Sequence, residues 1–373
     1  MRGEFGGSEE GVQDLKERQH RVINRRVRAL NMVSKRDIFD ISGPLHLSSV
    51  NWKCPQHRRT VAASLVQSCY VLERDRQQNC LASEALAPAW WKFFHFELIR
   101  TLIDDADFSI FGAIFKFNPP ISMQNSTMSD APKFVIAFRG TITKKDSFAR
   151  DITLDLHFIR NGLHKTSRSD IAMQAVRNVV SAVGNVNIWL AGHSLGSAMA
   201  TFAGRNMAKT GHLLETFLFN PPFLSAPIER IKDKKVKQGL RIANSFFTAG
   251  LAIALKGRHE KSSEDSFTIL SAWVPSLFVN PDDHICSEYI GYFDHRAKME
   301  EIGVGSIERL ATQNSIGDLF LSAFGKESEP LHLLPSANLT INMSPSPDFK
   351  TAHGIHQWWT PDANLQTKEY RYR

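Results

Sequence analysis

Five short apolar runs, each bounded by polar residues, stand out along the chain. They lie at residues 109–117, 133–138, 186–191, 216–219 and 273–279. Runs of this length that are apolar at nearly every position are typical of strands buried on both faces of a sheet, as parallel strands are. The pattern therefore predicts a largely parallel sheet at the centre of the protein.

Helical patterns lie between these strands. Residues 169–183 carry apolar side chains every three to four positions, open with a serine N-cap and stop at Gly184. Residues 195–209 form a second helical pattern, closed by Gly211. Because strands alternate with helices, the chain predicts a three-layer α/β fold in which helices flank a mostly parallel sheet.

Composition and charge narrow the class of protein. The chain has 373 residues, of which 42% are hydrophobic and 22% charged, which is ordinary for a globular protein with a large core. The net charge is +7, but residues 1–36 alone carry nine Lys and Arg against five Asp and Glu. We interpret residues 1–36 as a disordered basic tail and residues 37–373 as one domain. No nucleic-acid motif is present, whereas the charge is compatible with transient contact with an anionic membrane surface.

The cysteines and the apolar stretches bear on location. Cys54, Cys69, Cys80 and Cys286 form no C-x-x-C pair and no zinc-like grouping, which predicts ordinary thiols in a reducing compartment and no metal site. No secretory signal is legible, and the longest apolar stretch, residues 246–255, covers about half of a bilayer. We therefore expect a soluble protein, with the cytoplasm as the default location. The 246–255 stretch is interpreted as a buried helix, with an acyl-binding wall as the alternative.

One short motif carries chemistry. Residues 192–196 read G-H-S-L-G, which fits the G-x-S-x-G nucleophile elbow between a strand and a helix. An apolar strand precedes the motif, and a helix rich in small residues follows it. Ser194 is the predicted nucleophile, and the backbone N–H of Leu195 is one predicted donor to an oxyanion. The competing interpretation is a Gly/Ser turn without chemistry. The elbow residues are Gly192, His193, Ser194, Leu195 and Gly196.

A second motif ends the strand at 133–138, where the chain reads F-R-G-T. This motif, about fifty residues before G-H-S-L-G, resembles the class 3 lipases, and the resemblance covers roughly residues 37–373. It implies an α/β-hydrolase fold, an oxyanion donor at Thr141, a short lid at 142–152 and a D-L-x-F stretch at 155–158. The plant branch is the most similar, including a subgroup labelled GDSL esterase/lipase, although this chain has no G-D-S-L. Its further motifs are S-G-P-L-H-L at 42–47, H-R-R at 57–59, Y-V-L-E-R-D-R at 70–76 and A-H-G-I-H-Q-W-W at 352–359.

A serine nucleophile needs an acid and a base, which in this fold follow it in the order Asp or Glu, then His. Asp283 follows the strand at 273–279, and the resemblance favours it as the acid in a D-x-[VI]-P-like context in which Cys286 replaces the proline; Asp282 is the alternative. The family's histidine lies near the C-terminus after a small residue, which favours His353 as the base, with His356 as the alternative.

The sequence and the resemblance together predict a serine carboxylic-ester hydrolase. It would act on a lipid or other acyl ester through Ser194, Asp283 and His353 and a covalent acyl-enzyme, without metal or organic cofactor. A non-catalytic lipase-like scaffold or regulator is the alternative, and acyl transfer to an acceptor other than water would use the same residues. An aromatic cluster at residues 90–96 is interpreted as core.

Overall fold

The computed structural model describes residues 34–80, 82–121, 129–142, 166–184, 187–223, 269–301 and 333–372. Most of the predicted tail, the predicted lid, the D-L-x-F stretch and the 246–255 stretch lie outside these residues. The strands are β1 Phe96–Ile103, β2 Ile110–Phe117, β3 Phe134–Phe138, β4 Ile188–His193, β5 Glu215–Phe219, β6 Ser276–Val279, β7 Ala337–Asn342 and β8 Leu365–Tyr370. The α-helices are α1 Phe39–Ser42, α2 Pro55–Gln78, α3 Pro88–Lys92, α4 Ser167–Val183, α5 Leu195–Lys209, α6 Glu288–Glu301 and α7 Phe349–His353. Short 3-10 helices lie at Lys35–Asp37, Ala82–Glu84 and Ile355–Trp359.

The strands form one sheet in the order β1 to β8. Strands β3 to β7 are parallel, whereas β1, β2 and β8 are antiparallel to their neighbours. The mixed α/β architecture with a central sheet is therefore confirmed. Strand β2, predicted from its apolar run to suit a parallel position, instead pairs antiparallel with both neighbours. A continuous apolar run results from burial on both faces of the sheet and not from strand direction. The run therefore could not distinguish parallel from antiparallel pairing.

Alternate positions of the central strands face two separate cores. In β4, Trp189 and Ala191 pack in the core beneath α2, whereas Ile188 and Leu190 pack in the core beneath α4 and α5. All four side chains are buried. Helices therefore cover both faces of the sheet. The predicted aromatic cluster lies in the α2-side core, where Trp90 is fully buried.

The helices before and after β4 begin and end near their predicted bounds. Helix α5 spans the predicted residues, and α4 ends at Gly184, whose φ of 76° is readily adopted by glycine. Helix α4 begins two residues earlier than predicted, because Thr166 rather than a serine is the N-cap and accepts from the Ser169 N–H. In the described part of the chain, the helices all fall short of the length and apolarity that crossing a membrane requires.

Candidate active site

The predicted nucleophile lies in the turn between β4 and α5. Ser194 has φ 55° and ψ −124°, a conformation that L-residues rarely adopt. Its N–H donates to the Phe219 carbonyl oxygen at 3.0 Å, which fixes the turn against the end of β5. Leu195 is the first residue of α5, so its N–H has no acceptor within the helix and lies at the positive end of the helix dipole. The elbow therefore places a serine beside a backbone donor.

Two glycines allow this turn to pack tightly. A Cβ atom added at Gly192 would lie 2.2 Å from the Gly196 carbonyl oxygen. One added at Gly196 would lie 2.3 Å from the Phe138 carbonyl oxygen, at the end of β3. Because real Cβ atoms do not approach backbone oxygens so closely, side chains are excluded at both positions. The glycines of the motif bring β3, β4 and α5 together at one point.

The F-R-G-T segment lies directly against the elbow. A Cβ atom added at Gly140 would lie 2.8 Å from the Ser194 Cβ atom, so the end of β3 runs past the nucleophile. The Gly140 carbonyl oxygen accepts from Arg139 Nη1 at 2.7 Å. Since the peptide is planar and trans, this bond also sets the direction of the Thr141 N–H, opposite to the Gly140 carbonyl. Thr141, the second predicted oxyanion donor, is thus on a fixed peptide next to Ser194.

Asp283 and His353 form a buried pair. His353 Nδ1 lies 2.8 Å from Asp283 Oδ2. The same oxygen accepts from Asn220 Nδ2 at 2.7 Å and from Cys286 Sγ at 3.2 Å, and Oδ1 accepts from the Ile285 N–H at 3.0 Å. Burial by itself would raise the pKa of Asp283, but the charge and hydrogen bond of His353 and the other donors outweigh it and lower the pKa below its usual value. The carboxylate is therefore ionised and able to orient the imidazole.

The alternative acid and base lie elsewhere. Asp282 is exposed, and its N–H donates to Asn280 Oδ1 in a turn. His356 lies in the 3-10 helix after His353, where burial and the nearby Arg36 lower its pKa to about 4. The structure therefore brings Asp283, not Asp282, together with His353.

His193 connects the elbow to the segment that carries His353. Its Nε2 lies 2.7 Å from the His353 carbonyl oxygen, and its Nδ1 lies 2.8 Å from the Tyr70 hydroxyl. The rings of His193 and His353 are 5.0 Å apart between centroids. Burial, together with the charge of His353, lowers the pKa of His193 to about 3, so this ring is neutral at physiological pH. Ser194 is thereby linked, through its neighbour, to the candidate base.

Sequence reasoning missed two residues of this site. Asn220 directly follows β5, and polar residues at the carboxyl ends of adjacent parallel strands meet at one edge, so its position was a usable signal. Tyr70 lies inside helix α2, where the apolar pattern does not distinguish it from a core residue, although it opens the Y-V-L-E-R-D-R motif of the resembling subgroup. Within the described residues, no grouping of three His, Cys, Asp or Glu side chains could bind a metal ion.

The comparisons with known proteins identify the family of this chain. Residues 135–227, from β3 to just past β5, match the family model described as Lipase (class 3). The chain is also 56% identical over 353 residues to an Arabidopsis thaliana protein named as a GDSL esterase/lipase, with 92% of this chain and 100% of that protein covered. No solved structure matches the chain significantly. The fold and the matched segment define a mixed α/β protein with a class 3 lipase domain. The chain belongs to the plant lipase-like family of that class, as the resemblance predicted.

Proposed function

We propose that this protein is a serine carboxylic-ester hydrolase with an α/β-hydrolase fold, acting on a lipid or other acyl ester. The observation that carries the proposal is the buried Asp283–His353 pair, which is linked through His193 to the elbow serine. The class 3 lipase family model and the esterase/lipase name of the Arabidopsis relative support the same reaction class.

The proposed first half-reaction uses five groups. The Nδ1 proton of His353 is donated to Asp283 at 2.8 Å, which leaves Nε2 as the lone-pair nitrogen. His353 Nε2 then accepts the hydroxyl proton of Ser194 as Ser194 Oγ bonds to the ester carbonyl carbon. The backbone amides of Leu195 and Thr141 donate to the resulting oxyanion, and one such donor is typically worth about 2.7–4 kcal/mol in the barrier.

The second half-reaction releases the acyl group. The tetrahedral intermediate collapses to an acyl-enzyme on Ser194, and His353 gives its proton to the departing alcohol. Water attacks the acyl carbon while His353 accepts its proton. The second tetrahedral intermediate expels the serine oxygen, which takes the proton back. Ester and water thus become acid and alcohol, and the enzyme is regenerated.

The test is labelling with a fluorophosphonate probe, which reacts with an activated serine. Wild type, Ser194→Ala, His353→Ala and His356→Ala are compared, with and without detergent. We expect labelling of wild type and His356→Ala, and none of the other two variants. His356→Ala is the matched control, because it removes a half-buried imidazole from the same segment.

Three results would overturn parts of the proposal. Folded wild type that stays unlabelled in both conditions would favour the non-catalytic scaffold. Loss of labelling in His356→Ala, with labelling kept in His353→Ala, would reverse the assignment of the base. Products that carry the acyl group on an added alcohol rather than as free acid would indicate acyl transfer instead of hydrolysis.

A further inference from the structure

The hydroxyl of Tyr70 lies between the two segments that surround the nucleophile. It accepts from the Gly140 N–H at 2.7 Å and lies 2.8 Å from His193 Nδ1. The hydroxyl can accept as well as donate, so the direction of the second bond depends on which nitrogen of His193 carries the ring proton. These two bonds join helix α2 to the end of β3 and to the elbow.

His193 determines the direction of these hydrogen bonds. The His353 carbonyl oxygen can only accept, so His193 Nε2, 2.7 Å away, carries the proton of the neutral ring, and Nδ1 accepts from the Tyr70 hydroxyl. The low pKa of His193 agrees with a neutral ring. One chain of hydrogen bonds therefore runs from Gly140 through Tyr70 and His193 to His353.

Both sides of Gly140 are constrained by this arrangement. Tyr70 accepts from its N–H, and Arg139 Nη1 donates to its carbonyl oxygen at 2.7 Å. Arg139 is itself buried, and its Nε donates to the Ile110 carbonyl oxygen at 2.6 Å. Tyr70 thus fixes the peptide before the Gly140 Cα atom and Arg139 fixes the peptide after it, which carries the Thr141 N–H.

We propose that Tyr70 is a positioning residue of the hydrolase. Its hydroxyl holds the oxyanion-binding segment and the His353 segment at fixed positions relative to Ser194. The inference rests on the proposed serine-hydrolase function. Tyr70 does not touch the reacting atoms and acts through Gly140 on one side and His193 on the other. Its removal would let the oxyanion donors and the base shift relative to the serine, and displacements of this kind lower kcat more than they weaken substrate binding.

The test compares Tyr70→Phe with Tyr292→Phe. Both remove one buried tyrosine hydroxyl, but that of Tyr292 donates to the Leu334 carbonyl oxygen at 3.0 Å, away from the elbow. Kinetics with a p-nitrophenyl ester, inhibition by a trifluoromethyl ketone that forms an oxyanion, and Tm are measured for each. For Tyr70→Phe we expect a ten- to hundredfold fall in kcat and a matching loss of ketone affinity, with KM within threefold. Tyr292→Phe should lower Tm only.

A double variant tests whether the hydrogen bonds from Gly140 through Tyr70 and His193 to His353 act as one unit. Tyr70→Phe and His193→Gln should together lower kcat by no more than the larger single change, because both interrupt one chain. If Tyr70→Phe does not fold, the kinetics of His193→Gln and nitrogen NMR of the wild-type histidines test the inference instead. The inference requires a neutral His193 with its proton on Nε2.

The outcomes separate this inference from the proposed function. If the wild type is active and Tyr70→Phe keeps kcat and ketone affinity within twofold of the wild-type values, the inference is overturned but the proposed function is not. A His193 proton on Nδ1, or a defect of Tyr70→Phe in KM only, also overturns it. A folded wild type that neither hydrolyses esters nor reacts with fluorophosphonate overturns the proposed function, and the inference with it.

Discussion

Asn220 is the residue that joins the candidate acid to the segment carrying the candidate base. Its Nδ2 donates to Asp283 Oδ2 at 2.7 Å and to the Ala352 carbonyl oxygen at 3.1 Å. Its Oδ1 accepts from Trp358 Nε1 at 2.7 Å. A left-handed φ of 47° lets this side chain turn toward all three partners. The candidate acid Asp283, Asn220 and the C-terminal segment therefore form one buried polar network.

Replacing Asn220 by Ala should disrupt this network. Buried groups that lose a hydrogen-bond partner cost about 1–3 kcal/mol each in folding free energy. We expect Asn220→Ala to lower kcat/KM by about tenfold or more, and to lower the urea midpoint, because Asp283 and the Trp358 indole lose a partner. Asn206→Ala is the control, since Asn206 Nδ2 bonds within helix α5 to the Phe202 carbonyl oxygen. Equal effects of both changes on activity would contradict the assignment.

Replacing Asp283 by Asn keeps the side-chain volume but removes the charge that orients His353. We expect kcat to fall by roughly 10³–10⁴-fold, as happens when a triad aspartate is neutralised and the imidazole loses its tautomer. Asp282→Asn, one position away on an exposed side chain, should change kcat by less than about twofold. Steady-state kinetics of both variants decide the choice, and a larger loss in Asp282→Asn would reverse it.

At the level of elements, the elbow is a close contact between three backbones. Helix α5 starts immediately after β4, and both touch the end of β3 through glycine positions. The helix interior is rich in small buried residues, among them Ala200, Ala203 and Gly204. At Gly204 an added Cβ atom would lie 2.4 Å from the Trp273 ring. Close approach of the helix to the sheet depends on these small side chains.

Substituting Gly196 by Ala tests this contact. The new Cβ atom would lie 2.3 Å from the Phe138 carbonyl oxygen, so β3 or α5 must shift. We expect a loss of about 1–3 kcal/mol in the free energy of unfolding, typical of overpacking, together with loss of fluorophosphonate labelling. Gly211→Ala adds the same methyl group where nothing lies within 4 Å, so its cost is limited to the strain of a φ of 84°. Urea unfolding curves of both variants give the comparison, and equal midpoints and labelling would contradict the argument.

At the level of the whole molecule, the parallel sheet gathers distant segments at one edge. The carboxyl ends of β3 to β6 lead into Gly140, Ser194, Asn220 and Asp283, and the segment that carries His353 follows β7. The paired Asp283 and His353 are 70 residues apart in sequence, and Tyr70 and His193 are 123 apart. Adjacent parallel strands place their carboxyl ends together, so this edge can gather catalytic groups from across the chain.

The burial of neutral histidines makes stability depend on pH. The pKa of His193 is lowered to about 3 and that of His356 to about 4, from about 6.5 in an unfolded chain. Between those values the unfolded chain binds more protons than the folded one, so stability is complete above about pH 6.5 and falls as the pH is lowered. Each buried histidine contributes a slope of up to about 1.4 kcal/mol per pH unit. Asp283, with its lowered pKa, adds a further loss only below about pH 4.

Urea unfolding at pH 7 and pH 5 measures this slope. We expect lower stability at pH 5, and a smaller difference between the two pH values in His356→Gln than in the wild type. If the difference in stability between pH 7 and pH 5 is the same in His356→Gln as in the wild type, this histidine is not buried in its neutral form.

Local patterns alone predicted much of the scaffold. The apolar runs located β2 to β6, and residues 195–209 were predicted as the helix that α5 forms, because burial of a strand or helix face shows in the sequence around it. The elbow was also legible, since strand, turn and helix are consecutive there. Strands β1, β7 and β8 were not predicted. β1 and β8 are the edge strands, and β8 is exposed at most positions. β7 is a buried inner strand, but its sequence, A-N-L-T-I-N, alternates apolar and polar residues and so contains no continuous apolar run.

The sequence by itself determined the position of the elbow serine and the order in which the candidate nucleophile, acid and base follow one another, because these depend on local motif and chain order. Only the tertiary structure shows which of the alternative candidates lie together, and these are Asp283 and His353 rather than Asp282 and His356. Neighbours in sequence differ little in pattern, yet their side chains leave the backbone in different directions, and only one pair comes within 2.8 Å. The roles argued for Asn220 and Tyr70 likewise depend on hydrogen bonds between distant segments, whose distance and angle exist only once the sheet and helix α2 are packed together.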